Sequence, residues 1–198
     1  MVQAYEPAPL EFFRPATLED LDRITALEAA GYPPDEAASR ERLEYRLKHA
    51  GAQFLAAVCP AAAAEDGRLE VIGFVCGTLS CADKLTEESM GAHEPEGDLL
   101  AIHSVCVDAA HRRGGVASRL LRAYLSYVQG TTPGLREVRL ICKERLIPLY
   151  AGVGFQMVGP SDVVHGKDPW FEMRWALGGE EQEEEQEEQR QGGGEEQG

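Results

Sequence analysis

The chain has no surplus of positive charge. Its 19 Lys and Arg stand against 34 Asp and Glu, a formal net charge of −15 over 198 residues. With no basic face to neutralise phosphates, nucleic acid is not expected as a partner. No window approaches the length of a transmembrane span. The opening MVQAYEPAPLEFFRPATLED has neither an apolar signal core nor an Arg/Ser-rich amphipathic stretch. No membrane association is therefore expected, and the cytoplasm is the default location. There is no C-x-x-C pair either. The five cysteines (Cys59, Cys76, Cys81, Cys106 and Cys142) are odd in number, and three lie in strand-like apolar runs. They read as buried thiols in a reducing compartment. No His or Cys pair has ligand spacing, so no metal is expected.

What is present fits one globular domain. Hydrophobic residues make up 43% of the chain, enough for a sizeable core. The charge is uneven. From Glu180 to Gly198 the chain reads EEQEEEQEEQRQGGGEEQG, with nine Glu and one Arg, so −8 of the −15 resides there. A Glu/Gln/Gly run cannot bury enough apolar surface to fold alone. The expected organisation is an N-terminal extension over 1–10, a folded domain over 11–177 and a disordered acidic tail over 178–198.

The elements alternate. Phe12–Arg14 reads as a short strand. Thr17 then caps a helix to about Ala30, with Leu18, Leu21, Ile24, Leu27 and Glu28 at helical spacing. Gly31-Tyr32-Pro33-Pro34 breaks it, and a second helix is expected over Glu36–His49. Strands follow at Phe54–Val58, Leu69–Leu79 and Leu99–Val107, and a helix at Val116–Val128. A strand at Val138–Cys142, a short helix at Leu146–Ala151 and strands at Phe155–Val158 and Trp170–Trp175 complete the chain. The order β-α-α-β-β-β-α-β-α-β-β predicts a mixed sheet with helices packed on it, of α/β or α+β class.

One junction carries chemistry. In VDAAHRRGGVAS, residues 107–118, two arginines and two glycines separate an apolar strand from an amphipathic helix. The first amides of a helix are unpaired and carry partial positive charge, and glycine lets the main chain approach an anion. Arg112 and Arg113 add charge, Gly115 is the close-approach position, and Ala117 is small enough to serve likewise. No Lys-Ser/Thr follows the glycines, so this is not a P-loop. Nor is it the G-x-G-x-x-G dinucleotide turn. A phosphate or pyrophosphate binder and a plain strand–helix turn both remain open at this point.

RRGGVA fits the R/Q-x-x-G-x-G/A pattern of the GNAT superfamily of N-acetyltransferases, and the element order resembles that family's. EFFRPATLED, IHSVCVDAAHRRGGVASRLLRAYL and CKERLIPLYAGVGFQMVGP resemble the serotonin (arylalkylamine) N-acetyltransferases. YPPDEAAS and VVHGKDPWFEM resemble the non-vertebrate branch of that group. The resemblance covers roughly residues 11–177. It implies a GNAT fold: a mixed, mostly antiparallel sheet with a bulged central strand and helices on both faces. Acetyl-CoA is then the cosubstrate, a primary arylalkylamine such as serotonin, tryptamine or 5-methoxytryptamine the acceptor, and melatonin-type chemistry the setting. The resemblance also implies site roles. Val105, Cys106 and Val107 pair with the pantetheine arm. Arg112, Arg113, Gly114, Gly115, Val116, Ala117 and Ser118 form the pyrophosphate turn. Tyr150 lies near the CoA sulfur, and His103 matches the second histidine of a His-x-His pair whose first member is Ala101 here.

The chemistry needs such groups. An alkylammonium, with a pKa near ~10.4, is almost wholly protonated at pH 7 and needs a base. His103 supplies one, and Asp35 or Glu36 in the loop is a rival. Tyr150 can protonate the departing thiolate, and a backbone N–H near Val105 is the candidate oxyanion donor. Tyr32, Pro34 and Glu36 are the expected amine contacts, with Phe12, Pro33 and Trp170 as further aromatic or proline neighbours. His165 reads as a turn residue, and His49, His93 and His111 as solvated. Rival functions are a GNAT acting on polyamines or peptide amines, and a CoA-binding module without activity. The termini lack Arg-Arg-x-Ser/Thr sites, so neither a phospho-switch nor 14-3-3 binding is expected. The expected state is a monomer.

Overall fold

A computed structural model describes residues 11–61, 67–163 and 168–177. The expected N-terminal extension, the acidic tail and His165 lie outside the described residues. The elements are β1 (Phe12–Pro15), α1 (Leu21–Gly31), α2 (Arg40–His49), β2 (Phe54–Pro60), β3 (Leu69–Ser80), β4 (Leu99–Val107), α3 (Val116–Thr131), β5 (Glu137–Cys142), α4 (Ile147–Ala151), β6 (Gln156–Pro160) and β7 (Phe171–Ala176). The order is the one read from the sequence. The seven strands form one sheet, β1-β2-β3-β4-β5-β7-β6. Only β4–β5 is parallel; the other pairs are antiparallel.

Two hydrophobic layers clasp the sheet. On one face α3 buries Val116, Leu120, Leu121, Tyr124, Leu125 and Val128. These are the positions that helical spacing places on one stripe. Fully burying each large apolar side chain is worth about 1.5–3 kcal/mol. On the other face α1 and α2 bury Leu21, Ile24, Leu27, Leu43 and Leu47 against Phe54, Phe74 and Cys76.

Helix α2 starts four residues later than the sequence reading placed it. The Pro33 carbonyl accepts from the amides of Glu36 and Ala37, both at 2.9 Å, closing a turn. Ser39 then caps the helix, accepting from Arg42 N–H at 3.3 Å. The acidic residues at 35 and 36 therefore sit in a loop over the sheet. Leu18, expected on the buried stripe, is 49% exposed in a short 3-10 turn before α1.

A bulge in β4 sets the alternation of its side chains. Cys76 of β3 pairs with Ser104 and Gly77 with Ile102, so His103 is the extra residue. Before it, Leu100 and Ile102 face α3; after it, Val107 does, while Cys106 joins the α1–α2 layer. Gly77 is required there: a Cβ would stand 2.8 Å from the Ala101 carbonyl oxygen. Beyond the bulge β4 also leaves β5. Their pairing runs from Leu99–Glu137 to Ile102–Leu140 and stops, although β4 continues to Val107 and β5 to Cys142. The sheet opens into a cleft at that point.

All five cysteines are free thiols; four are buried, and Cys81 is exposed. No described helix is long and apolar enough to cross a membrane.

Candidate active site

The turn between β4 and α3 is held in an unusual main-chain form. Arg113 has φ 65°, the sole non-glycine at positive φ among the described residues, and Gly115 follows at φ 78° as the N-cap of α3. A left-handed L-residue costs roughly 1–2 kcal/mol, so the surroundings must enforce it. Arg119 does so by donating to the Gly114 carbonyl at 2.8 Å. Asp108 caps the preceding turn through the Ala110 amide at 2.7 Å and is gripped by Arg23 of α1 at 2.6 Å. The first amides of α3 (Val116, Ala117 and Ser118) have no intrahelical acceptor and open outward beside exposed Arg112, Arg113, Gly114 and Gly115. Main chain in this form can cradle an anion. It suits a pyrophosphate, so the residues present fit acetyl-CoA.

A cavity of ≈ 320 Å³ runs from this turn into the cleft. Val105, Cys106 and Val107 of β4 line one wall, with Arg112 and Ala117 at the turn end. Leu146, Leu149 and Tyr150 line the opposite wall. The other turn residues, Arg113, Gly114, Gly115, Val116 and Ser118, lie outside this lining, contiguous with Arg112 and Ala117. Arg112 turns inward, donating from Nε to the Val107 carbonyl at 2.9 Å.

A second cavity, ≈ 160 Å³, lies on the α1–α2 side. The two share Tyr32, Glu36, Val105, Ile141, Tyr150 and Trp170, so they meet through the gap between β4 and β5. His103 lines only the second cavity. Its Nε2 sits 2.7 Å from the Thr78 hydroxyl, which fixes the ring on the bulge. Tyr150 is buried, and burial, reinforced by Cys142 and Cys106, holds its hydroxyl above its ordinary value of 10. The hydroxyl therefore stays protonated at neutral pH. Neither thiol nearby is a nucleophile. Burial and the Glu28 carboxylate push the Cys106 thiol far up, and burial pushes Cys142 up to about 11.

Three expectations change. Pro34 is exposed and lines neither cavity, because its place in the turn points it to solvent. Phe12 is 49% exposed on the sheet edge, away from the site. His93 is not solvated: its Nδ1 accepts from the Leu79 amide at 3.1 Å, and burial lowers its pKa. His111 is half-buried and His49 exposed. Tyr32 and Glu36 do line the cavities, each already engaged. The Val105 N–H donates to the Tyr32 hydroxyl at 3.2 Å, so Tyr32 must swing away before that amide can serve an oxyanion. Glu36 accepts from Lys143 Nζ at 2.7 Å, and Lys143 also stands 4.0 Å over the Trp170 ring. That oxygen of Glu36 is thus committed to Lys143 rather than free to meet an amine.

Four residues here were not singled out from the sequence: Glu28, Arg46, Thr78 and Lys143. Glu28 and Arg46 carried a signal, since each is a charged residue on the apolar stripe of its helix. Glu28, 1% exposed, accepts from Ala38 N–H at 2.9 Å, Ser104 Oγ at 3.0 Å and Cys106 Sγ at 3.3 Å. It ties the α1–α2 loop to β4. Thr78 and Lys143 reach the site only through strand register, which the sequence does not display.

Residues 21–155 match the family model described as the acetyltransferase (GNAT) family. The serotonin N-acetyltransferase of Mesocricetus auratus is 36% identical over 113 residues, 57% of this chain and 53% of its own length. The chain thus spans about half the length of the curated relatives it matches. Among solved structures, Arabidopsis thaliana NAA60 in complex with acetyl-CoA superposes with a TM-score of 0.65 at 22% identity, over 86% of this chain and 100% of the other. The GNAT-like decarboxylase GphF in complex with isobutyryl-CoA gives 0.67 at 21%, over 84% and 99%. At those identities the superpositions speak for the fold alone.

Proposed function

The chain belongs to the acetyltransferase (GNAT) family, and from that premise we propose that it transfers the acetyl group of acetyl-CoA to the primary amine of an arylalkylamine by direct attack in a ternary complex. The observation that carries this reading is the pair of cavities meeting at Tyr150 through the β4–β5 gap, with the main-chain anion cradle at one end and His103 at the other. The curated relatives named serotonin N-acetyltransferase support the choice of amine. Serotonin, tryptamine and 5-methoxytryptamine are the acceptors to try first.

Acetyl-CoA supplies an activated acetyl group as its thioester. The turn from Arg113 to Ser118 binds the pyrophosphate through backbone amides, with Arg112 beside it. Val105, Cys106 and Val107 offer strand edges to the pantetheine arm, since β4 is unpaired on the β5 side there. His103, oriented by Thr78, takes the proton from the ammonium, directly or through a water. Tyr150 delivers its proton to the leaving sulfur. With both thiols held protonated, no acyl-enzyme is needed.

The charge of the amine-side cavity disfavours a polyamine. Its three carboxylates, Glu28, Asp35 and Glu36, are equalled in number by Arg42 and Arg46 in the same lining and by the Lys143 that grips Glu36 from the neighbouring cavity, so the cavity carries no excess negative charge. A polycation gains little there. Turnover is read as CoA thiol release over a panel of arylalkylamines, polyamines and peptide amines. The reading fails if no arylalkylamine is turned over while acetyl-CoA still binds, which is the outcome expected of a CoA-binding module without activity.

A further inference from the structure

The amine-side cavity contains a buried cation without a carboxylate partner among the described residues. Arg46 of α2 is 6% exposed and lines the cavity. Its polar contact is the Cys76 sulfur, 3.9 Å from NH1. Besides Glu36, which Lys143 holds, Glu28 is the other buried carboxylate in that cavity. Its oxygens are taken by Ala38, Ser104 and Cys106, and it forms no ion pair with Arg46 within 4.0 Å. One helical turn before Arg46, Arg42 lines the same cavity at its exposed end, also outside any ion pair among the described residues. Two arginines at i and i+4 repel one another, and a buried guanidinium without an acid is costly. The third cation nearby, Lys143, is matched by Glu36.

We propose that Arg46, with Arg42 at the mouth, forms an anion subsite in this cavity, so that the preferred acceptor is an amine that also carries a carboxylate. The inference rests on the N-acetyltransferase reading above and names the acceptor class within it. A guanidinium presents a planar fork that matches a carboxylate's two oxygens. Register sets the reach. Cys76, beside Arg46, and Thr78, beside His103, lie two apart on one face of β3, a repeat of about 7 Å. Two hydrogen bonds and a short chain span that distance, as an amine and a carboxylate on one small molecule do. The transfer itself is unchanged. The acceptor nitrogen forms the new C–N bond, the thioester C–S bond breaks, His103 takes the nitrogen's proton and Tyr150 protonates the sulfur.

The test compares matched acceptors with the full chain and acetyl-CoA: tryptophan with tryptamine, and phenylalanine with phenethylamine, read as kcat/KM from thiol release. The wild type is expected to favour the carboxylated member by about tenfold or more. Arg46→Met should cut that member about 100-fold while changing the decarboxylated one less than about threefold, because a site built to pair with a polar group rejects the analogue that lacks it. The KM for acetyl-CoA should not move. A wild type that uses the decarboxylated amines as well or better overturns the proposal, and so does an Arg46→Met variant that loses both alike. If Arg46→Met does not fold, Arg42→Gln decides: an unchanged KM for the carboxylated acceptor sinks the subsite. If Glu28→Gln restores the stability of Arg46→Met with no change in acceptor preference, the guanidinium is a counter-ion of Glu28 and the proposal falls. Absence of turnover with every amine counts against the transferase reading instead. Calorimetric binding of tryptophan to wild type and Arg46→Met then tests the subsite alone.

Discussion

On the cofactor side of Tyr150 one wall is a continuous stretch of main chain, from Val105 through the turn at Arg113–Gly115 into the first amides of α3, facing Leu146 and Leu149. On the amine side it is a set of side chains from separate places in the sequence: Glu28 and Tyr32 on or after α1, Glu36 in the loop, Arg46 on α2, His103 on the bulge and Trp170 before β7, with Glu36 held by Lys143 from the first cavity. The first kind of wall depends on backbone conformation and tolerates changes of side chain. The second depends on each residue holding its neighbour. The two halves of one site should therefore fail differently when mutated.

The largest effect belongs to Tyr150, one of the residues that both halves share. Tyr150→Phe removes the proposed proton donor and should lower kcat by about 10²–10⁴, the usual range for a general acid. KM for acetyl-CoA and melting temperature should barely change, since no hydrogen bond of that hydroxyl is lost among the described residues. Burial holds the hydroxyl above its ordinary pKa, so the Tyr150 acid is intact until the pH passes about 10. A kcat–pH profile should show no alkaline loss from this group below that point. An unchanged rate in Tyr150→Phe removes the acid role.

Next comes the ion pair that holds an amine-side carboxylate, Glu36, from the cofactor cavity, where Lys143 lies. Lys143 and Glu36 are buried, with side chains 9% and 5% exposed. Lys143→Met leaves a buried carboxylate unpaired and should destabilise the protein by about 3–5 kcal/mol, read by denaturant unfolding. The double variant Lys143→Met with Glu36→Gln should recover most of that loss. If the single substitution costs nothing, the amine side does not depend on paired side chains, and the contrast with the cofactor side collapses.

The same contrast explains what the sequence disclosed. Element order and the stripe of α3 follow from period and composition, because each is written in contiguous residues; the bulge in β4 was implied only by the family resemblance, since it exists in the register with β3. The cradle was legible for that reason: RRGGVA holds the arginines, the glycine and the small residue in one run. The amine side was not. Glu36 was visible as a loop carboxylate, but its capture by Lys143 spans 107 residues of sequence. Thr78 meets His103 only because the β3–β4 register sets them side by side. The start of α2 was misplaced because the loop's acidic residues resemble a first helical turn, whereas the Pro33 carbonyl and Ser39 set the boundary.

A medium effect tests the cradle. Gly115 stands at φ 78°, where a β-branched side chain is strained whatever space surrounds it. Gly115→Val should raise KM for acetyl-CoA about tenfold, consistent with roughly 1–2 kcal/mol of backbone strain. The KM for the amine should be unaffected. A rise in amine KM of the same size means that the two halves are mechanically coupled.

The smallest effect is the sharpest test of how the cradle works. Arg112 lies at the turn end of the cofactor cavity, and its Nε is already committed to the Val107 carbonyl. Its residue surface is exposed, so its charge acts through water and is screened by salt. Arg112→Gln should raise KM for acetyl-CoA only about two- to threefold, with the difference shrinking as ionic strength rises. The comparison with Gly115→Val is what counts. A site read by backbone amides loses more when its main chain is forced from the left-handed form than when one exposed charge is removed. If Arg112→Gln costs more than Gly115→Val, and the cost vanishes in high salt, the turn holds its anion by charge and the main-chain account of the cofactor side is wrong.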